Sequence, residues 1–240
     1  MVEHGLTDIW VYLSASPLLG LTMTLVAYGL AHRLYLRARA NPLVNPVVGS
    51  VALLITVLMA TGTSYEDYFE GAQFVHFLLG PATVALAVPL YLNLRRIREL
   101  FGPIVVTLLV AGIFATALGM ALAWAFGADE MILMTLAPKS VTSPIAMLVA
   151  EQIGGVVALA AVFVMITGVL GAIIGPELLR RFGVQHPAAR GIALGLTAHA
   201  VGTAQALQES DECGAFAALA MSLMGVLTAV LLPLVVALLL

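Results

Sequence analysis

Leu136-Ala-Pro-Lys-Ser-Val-Thr-Ser-Pro-Ile-Ala-Met147 is the stretch that decides how this chain reads. Lys139, at its centre, is the only lysine among ten basic residues. The rest are arginines, gathered in or beside three polar connections. Lys139 follows a proline, stands among hydroxyls and has strongly apolar sequence on both sides. A charge at membrane depth is costly, and it faces a protein interior or a watery cavity. This makes the stretch a candidate site.

The rest of the sequence supports that depth. Of 240 residues, 62% are hydrophobic and 10% charged, and the mean hydropathy is +1.08. Soluble domains carry about a quarter charged residues. The chain therefore reads as an all-α integral membrane protein, a single polytopic domain over residues 1–240. The net charge of −3 gives no reason to expect nucleic acid as a partner. A lone cysteine, Cys213, rules out an internal disulfide and a cysteine-based metal site, and no metal or cofactor is expected. No positively charged region precedes the first apolar run, so that run reads as an uncleaved signal.

A crossing helix needs roughly 20 apolar residues. Seven candidates follow in order: Ile9–Leu36, Val47–Thr61, Gln73–Leu94, Ile104–Phe126, Val156–Ile174, Ala188–Leu207 and Ala215–Leu240. Arginines follow the first, third and fifth, and acid-dominated connections follow the second, fourth and sixth. Excess Lys/Arg marks the cytoplasmic side. The pattern predicts an inner (cytoplasmic) membrane protein with its N-terminus outside and its C-terminus inside. It also places Cys213 outside. One conflict remains: Val156–Ile174 crosses alone, so Leu136–Gln152 must enter and leave on one side or form a half-helix. Irregular backbone at depth is tolerated only under protein or beside a watery cavity. A geometric repeat suggests itself between residues 9–98 and 104–208, followed by a final helix over 215–240. Each half ends in an interrupted helix, at Gly80-Pro81 and at His199–Thr203. Inverted repeats with broken helices belong to secondary transporters.

Within the opening stretch, Lys139, Ser140, Thr142 and Ser143 offer an ammonium and three hydroxyls. Pro138 lacks an N–H, and Pro144 pushes Ser143 away from helical geometry. A helix starting there would aim its free N–H groups at a bound anion. The combination suits a carboxylate. Lys139 equally suits a snorkelling role at the headgroups or a structural pair with Glu151, the only carboxylate within an apolar stretch. Glu151 also suits a coupling proton. His199 titrates near neutral pH and suits either a proton relay or a neutral hydrogen-bonded role. Gly202, Thr203 and Thr83 flank the interruptions and are candidate substrate contacts. No nucleophile–base spacing appears, so an enzyme is not expected.

Several strings together resemble the LrgB/CidB family of bacterial membrane proteins. They are Tyr65-Glu-Asp-Tyr68 with Gly71, Leu79-Gly-Pro-Ala-Thr-Val-Ala-Leu-Ala-Val-Pro-Leu-Tyr91, Pro138-Lys-Ser-Val-Thr142 with Pro144-Ile-Ala-Met147, Gly154-Gly155, Gly168 with Gly171, and His199-Ala-Val-Gly-Thr-Ala204. Gln205 and Gln208 depart from the pattern, standing where a basic and an acidic residue are common. The resemblance implies one of two functions. One is transport of small monocarboxylates such as pyruvate, glycolate or glycerate, to which the reading of His199 and Glu151 adds proton coupling. The other is holin/antiholin-like control of murein hydrolase export and autolysis, with a small LrgA/CidA-type membrane partner. It also leaves room for a homo-oligomer in the lipid bilayer. The residues favour transport, with Lys139 as anion contact.

Overall fold

The computed structural model describes residues 17–39, 41, 44–78, 81 and 84–239. All regular structure among them is helical. The chain divides into two compact units, Met1–Ala85 and Leu86–Leu240.

The first unit packs three helices, α1 (Pro17–Arg37), α2 (Pro46–Thr61) and α3 (Tyr65–Phe77). Asn45 begins α2 as expected of a capping asparagine: its Oδ1 accepts from the N–H groups of Val47 at 2.9 Å and Val48 at 3.2 Å. This satisfies two donors that a helix start leaves open. Gly20 lets α3 lie against α1, since a Cβ there would stand 2.5 Å from the Tyr68 carbonyl oxygen. Beside it the Thr24 and Tyr68 hydroxyls bond at 2.7 Å. The expected Gly80-Pro81 interruption and Thr83 fall largely outside the described residues; of these three, only Pro81 is described.

The second unit carries α4 (Ala87–Leu92), α5 (Leu94–Glu99), α6 (Phe101–Ala125), α7 (Glu130–Leu136), α8 (Ser143–Gln152), α9 (Val157–Arg181), α10 (Pro187–Glu209) and α11 (Asp211–Leu239). Three of these, α6, α9 and α11, are long and apolar enough to cross a membrane. Among the described residues, α2 is a shorter apolar helix. The described residues thus do not confirm seven such crossings.

The sixth expected crossing, Ala188–Leu207, is the clearest correction. It forms α10, but α10 does not run straight. His199 sits at φ 42° and ψ −127°, and the chain reverses there. Arg190, on the first leg, consequently meets Glu209, on the second, with Nε–Oε2 at 2.7 Å and Nη2–Oε1 at 2.9 Å. Gly202 is pressed against the Leu194 carbonyl oxygen of the opposite leg, as only a residue without a side chain could be. The two legs form a hairpin with both ends on one side of the unit.

The same end gathers the arginines. Arg96 pairs with Glu212 at 3.0 Å and donates to His186 Nε2 at 2.8 Å. Arg180 and Arg181 close α9 there by pairing with Glu177. The acidic connection Glu209–Glu212 therefore shares a side with the arginines, rather than lying opposite as the charge alternation suggested. Cys213, bonded through Sγ to Glu209 Oε2 at 3.8 Å, lies at this arginine-bearing end too.

Close packing fixes the hairpin. Gly191 and Gly195 on its first leg abut the backbone carbonyls of Cys213 and Ala217 in α11, and Gly171 and Gly175 in α9 accept Ala198 and Leu194. Small residues in step let backbones approach where apolar burial gives no driving force between helices in lipid. One buried cluster ties the unit together, joining Ile104 and Leu108 of α6, Val164 of α9, Leu196 of α10, Phe216 and Ala220 of α11, and Val141.

Candidate functional site

The opening stretch breaks between α7 and α8, as its two prolines require. Asp129 caps α7, accepting from the Ile132 N–H at 2.9 Å. The helix ends at Leu136, and Pro138 heads an irregular turn whose Val141 N–H reaches back to the Pro138 carbonyl at 3.3 Å. Helix α8 begins at Ser143 with Pro144 in its first turn.

The chain then comes back to where it left. Past α8, the Val156 N–H donates to Thr135 Oγ1 at 2.8 Å, and Thr135 is fully buried. Gly155 lies so close that a Cβ would stand 2.8 Å from the Thr135 N. Residues 136–155 are thus a second hairpin, pinned at its base. It enters from the end of the unit opposite the arginines, because α6 carries the chain from Arg95–Arg98 to Asp129. The sequence expectation that Leu136–Gln152 enters and leaves on one side describes this geometry.

Each proposed residue has a definite place. Lys139 is half-buried at the hairpin tip, and its Nζ donates to the Ala115 carbonyl of α6 at 2.9 Å. Ser140 is 6% exposed, while Thr142 and Ser143 are half-buried. Their three hydroxyls have no hydrogen-bond partner among the described residues, and Thr142 does not cap α8 with its side chain. The start of α8 therefore keeps open N–H groups beside open hydroxyls, next to a lysine whose ammonium has donors to spare.

Glu151 does not belong to this group. It lies exposed near the far end of α8, and no ion pair joins it to Lys139 among the described residues. Of the roles left open for Lys139, the structural pair with Glu151 is therefore not formed. Helix α8 puts about 12 Å of axis between its first residue and Glu151, at roughly 1.5 Å per residue.

His199 is the tip of the α10 hairpin and is 3% exposed. Its Nε2 bonds the Val164 carbonyl of α9 at 2.9 Å. A carbonyl only accepts, so Nε2 carries the proton. Thr203 turns its hydroxyl to the His199 carbonyl at 2.9 Å, and Gly202 serves the approach of the legs. Both therefore close the hairpin and show no free polar group. Gln205 is buried and Gln208 exposed on the second leg. Val141, beside the first tip, and Val164, beneath the second, share one buried cluster. Sequence reasoning missed Ala115, Gly119 and Val164. The pairing of a basic tip with a glycine on the preceding long helix is the signal that finds them.

A separate groove of about 460 Å³ runs between α6 and α11, lined by Gly112, Thr116, Met120, Met134, Met224 and Thr228 among others. It is almost wholly apolar, and neither Lys139 nor His199 lines it.

Comparison with known proteins agrees with the strings noted above. The LrgB-like family matches residues 24–238. The chain is 38% identical over 214 residues to the uncharacterised protein YxaC of Bacillus subtilis (strain 168), covering 89% of this chain and 93% of that one. It is 30% identical over 218 residues to an antiholin-like protein LrgB of Bacillus mycoides (strain KBAB4), covering 91% and 95%. An antiholin-like protein LrgB of Bacillus cereus (strain B4264) matches equally. No solved structure matches. With these full-length matches and the Pro-Lys-Ser-Val-Thr and His-Ala-Val-Gly-Thr-Ala strings at its two hairpin tips, the chain belongs to the LrgB-like family of membrane proteins.

Proposed function

We propose that the chain is a secondary transporter of small monocarboxylates of the pyruvate, glycolate or glycerate kind. The observation that carries this reading is the tip of the 136–155 hairpin. A half-buried ammonium, three open hydroxyls and a helix start converge there within five residues. A carboxylate satisfies all three through charge-assisted hydrogen bonds and the partial positive charge of the helix start. Broken helices that bring such groups to mid-depth suit a carrier, which must bind away from both aqueous faces. A pore that only opens has no use for them. His199 is the proton-coupling candidate, since its ring sits at the tip of the second interruption with Nε2 committed to the Val164 carbonyl.

The arginine-bearing end is assigned to the cytoplasm. Helix α11 then starts inside and finishes outside. This reverses the expectation of an inside C-terminus, because the α10 hairpin removes one crossing. The N-terminus remains assigned outside and the membrane as the inner one.

The second reading takes its weight from the antiholin-like name of the relatives. It makes the chain a modulator of murein hydrolase export and autolysis acting with a small LrgA/CidA-type partner. Uptake of labelled pyruvate, glycolate and glycerate by proteoliposomes holding this chain alone decides between them. Saturable uptake supports the carrier. A folded protein that moves none of the three, yet alters lysis only when the partner is present, supports the modulator.

A further inference from the structure

The two hairpin tips are held in the same way. Lys139 Nζ donates to the Ala115 carbonyl of α6 at 2.9 Å. Four residues on, a Cβ on Gly119 would stand 2.6 Å from that Nζ. His199 Nε2 donates to the Val164 carbonyl of α9 at 2.9 Å. Four residues on, a Cβ on Gly168 would stand 2.7 Å from that Nε2. In an α-helix the carbonyl of residue i points towards residue i+4. The side chain there covers the oxygen from outside. A glycine at that place opens the carbonyl to a second donor.

The match extends to topology. Helix α6 precedes the hairpin that bears Lys139, with only the short α7 between them, and α9 directly precedes the hairpin that bears His199. The first hairpin enters from the Asp129 end and the second from the arginine end. Ala115 and Gly119 lie about 15 and 9 Å from the end of α6, and Val164 and Gly168 about 10 and 16 Å from the start of α9, at 1.5 Å per residue. Both seats fall at a similar distance from the helix ends nearer Asp129.

We infer that residues 101–209 are an inverted repeat of long helix plus re-entrant hairpin, in which Lys139 and His199 are equivalent tips and Gly119 and Gly168 are the residues that position them. The pairing differs from the one drawn between residues 9–98 and 104–208. Resting on the carrier reading, the repeat adds that the carboxylate is met by one basic tip from each end. The fixed seats keep the ammonium and the imidazole in one layer while either hairpin opens towards its own side.

The arrangement is tested on the full chain with Cys213→Ala as background and single cysteines placed outside the site. Asp129→Cys precedes the first hairpin and Gln152→Cys lies near its base, while Gln185→Cys and Asp211→Cys flank the second. All four positions are exposed. A membrane-impermeant maleimide is applied to right-side-out and inverted vesicles. The expected result is that 129 and 152 label from one side, and 185 and 211 from the other. Labelling of 185 and 211 from opposite sides overturns the repeat, whether or not the protein transports anything. Seating is then read from pyruvate uptake. Gly119→Ala should raise KM about tenfold, by weakening one charge-assisted contact, with Vmax little changed. Adding Lys139→Gln should cause little further loss, because residues acting through one contact are not additive. Fully additive losses, or an unchanged KM in Gly119→Ala, overturn the seat. A wild-type chain that carries no carboxylate ends the carrier reading and the shared-anion role, while the labelling still decides the repeat.

Discussion

Arg190 and Glu209 lie nineteen positions apart on what reads as one helix, yet their side chains pair at two points. The guanidinium also donates to the Val184 carbonyl at 3.0 Å, and both side chains are largely covered, at 16% and 22% exposure. A straight helix would separate them by about 28 Å. The pair is thus both a product of the reversal at His199 and a clasp across its base.

Breaking the clasp should loosen the hairpin. Glu209→Gln removes the charge facing a largely covered arginine, and a loss of about 1.5–3 kcal/mol is expected for a charged hydrogen bond. Arg190→Gln should cost a similar amount. The double variant should cost clearly less than the sum, since neither charge is then stranded. Melting temperatures of the three variants in detergent check this, and strict additivity would show that the two groups are not coupled.

Lys139→Gln separates the roles considered for this lysine. As an anion contact, its loss should weaken substrate about ten- to a hundredfold. Stability should change little, because a half-buried cation is removed along with its single carbonyl contact. With no Lys139–Glu151 pair to break, Glu151→Gln should leave both melting temperature and substrate affinity near wild type. Normal uptake by folded Lys139→Gln protein would end the proposed mechanism.

Thr135→Val keeps the shape of the fully buried side chain and deletes the acceptor that meets the Val156 N–H. An orphaned buried donor costs about 1–3 kcal/mol. The first hairpin should open more readily at its base. Faster hydrogen exchange confined to residues 153–157 is the expected signature. Global destabilisation without local exchange would contradict the pinning role.

Gly195→Ala tests the packing of α10 on α11. The added methyl would press on the Ala217 carbonyl oxygen, which belongs to helix backbone and cannot swing away. Overpacking of this kind costs about 1–3 kcal/mol. Thermal denaturation measures it, and Gly183→Ala, where nothing lies within 4 Å but φ is +72°, separates crowding from backbone strain.

Cys213 is 1% exposed. Folded protein should therefore resist thiol reagents from either side of the membrane and react only on unfolding. Stoichiometric labelling of the native chain, measured by mass, would contradict the packing of Gly191 over the start of α11.

Much of this was open to reading from the sequence. Pro138 and Pro144 forbid a continuous helix around Lys139, so the first break was visible, and Val156–Ile174 was long enough to force the return. In α10 the interruption at His199–Thr203 was legible, but the reversal it makes was not. Residues 188–207 have the length and apolarity of a crossing, and nothing local marks a histidine for positive φ. That backbone costs about 1–3 kcal/mol and is held by the Thr203 hydroxyl nearby together with two distant partners, the Val164 carbonyl and the α11 surface. Charge counting added to the error. The acids after α10 read as a sign of the opposite face, whereas Asp and Glu carry little weight in orientation, and here they neutralise arginines at close range. The role of the glycine seats was missed because each serves a contact between groups 24 or 35 residues apart.

The enclosure of the α10 hairpin has a consequence for synthesis. Its first leg is walled by α9, made earlier, and by α11, made afterwards. A reversal with interrupted backbone bonding has no stable place in hydrocarbon on its own. When the ribosome has completed Glu209, the hairpin lacks the wall that Cys213, Phe216 and Ala217 will supply. It must wait near the membrane surface or sit incompletely lodged until the last long helix arrives. Maturation of this protein is therefore expected to have a late step, in which a segment already translated is drawn into the bilayer by one that follows it.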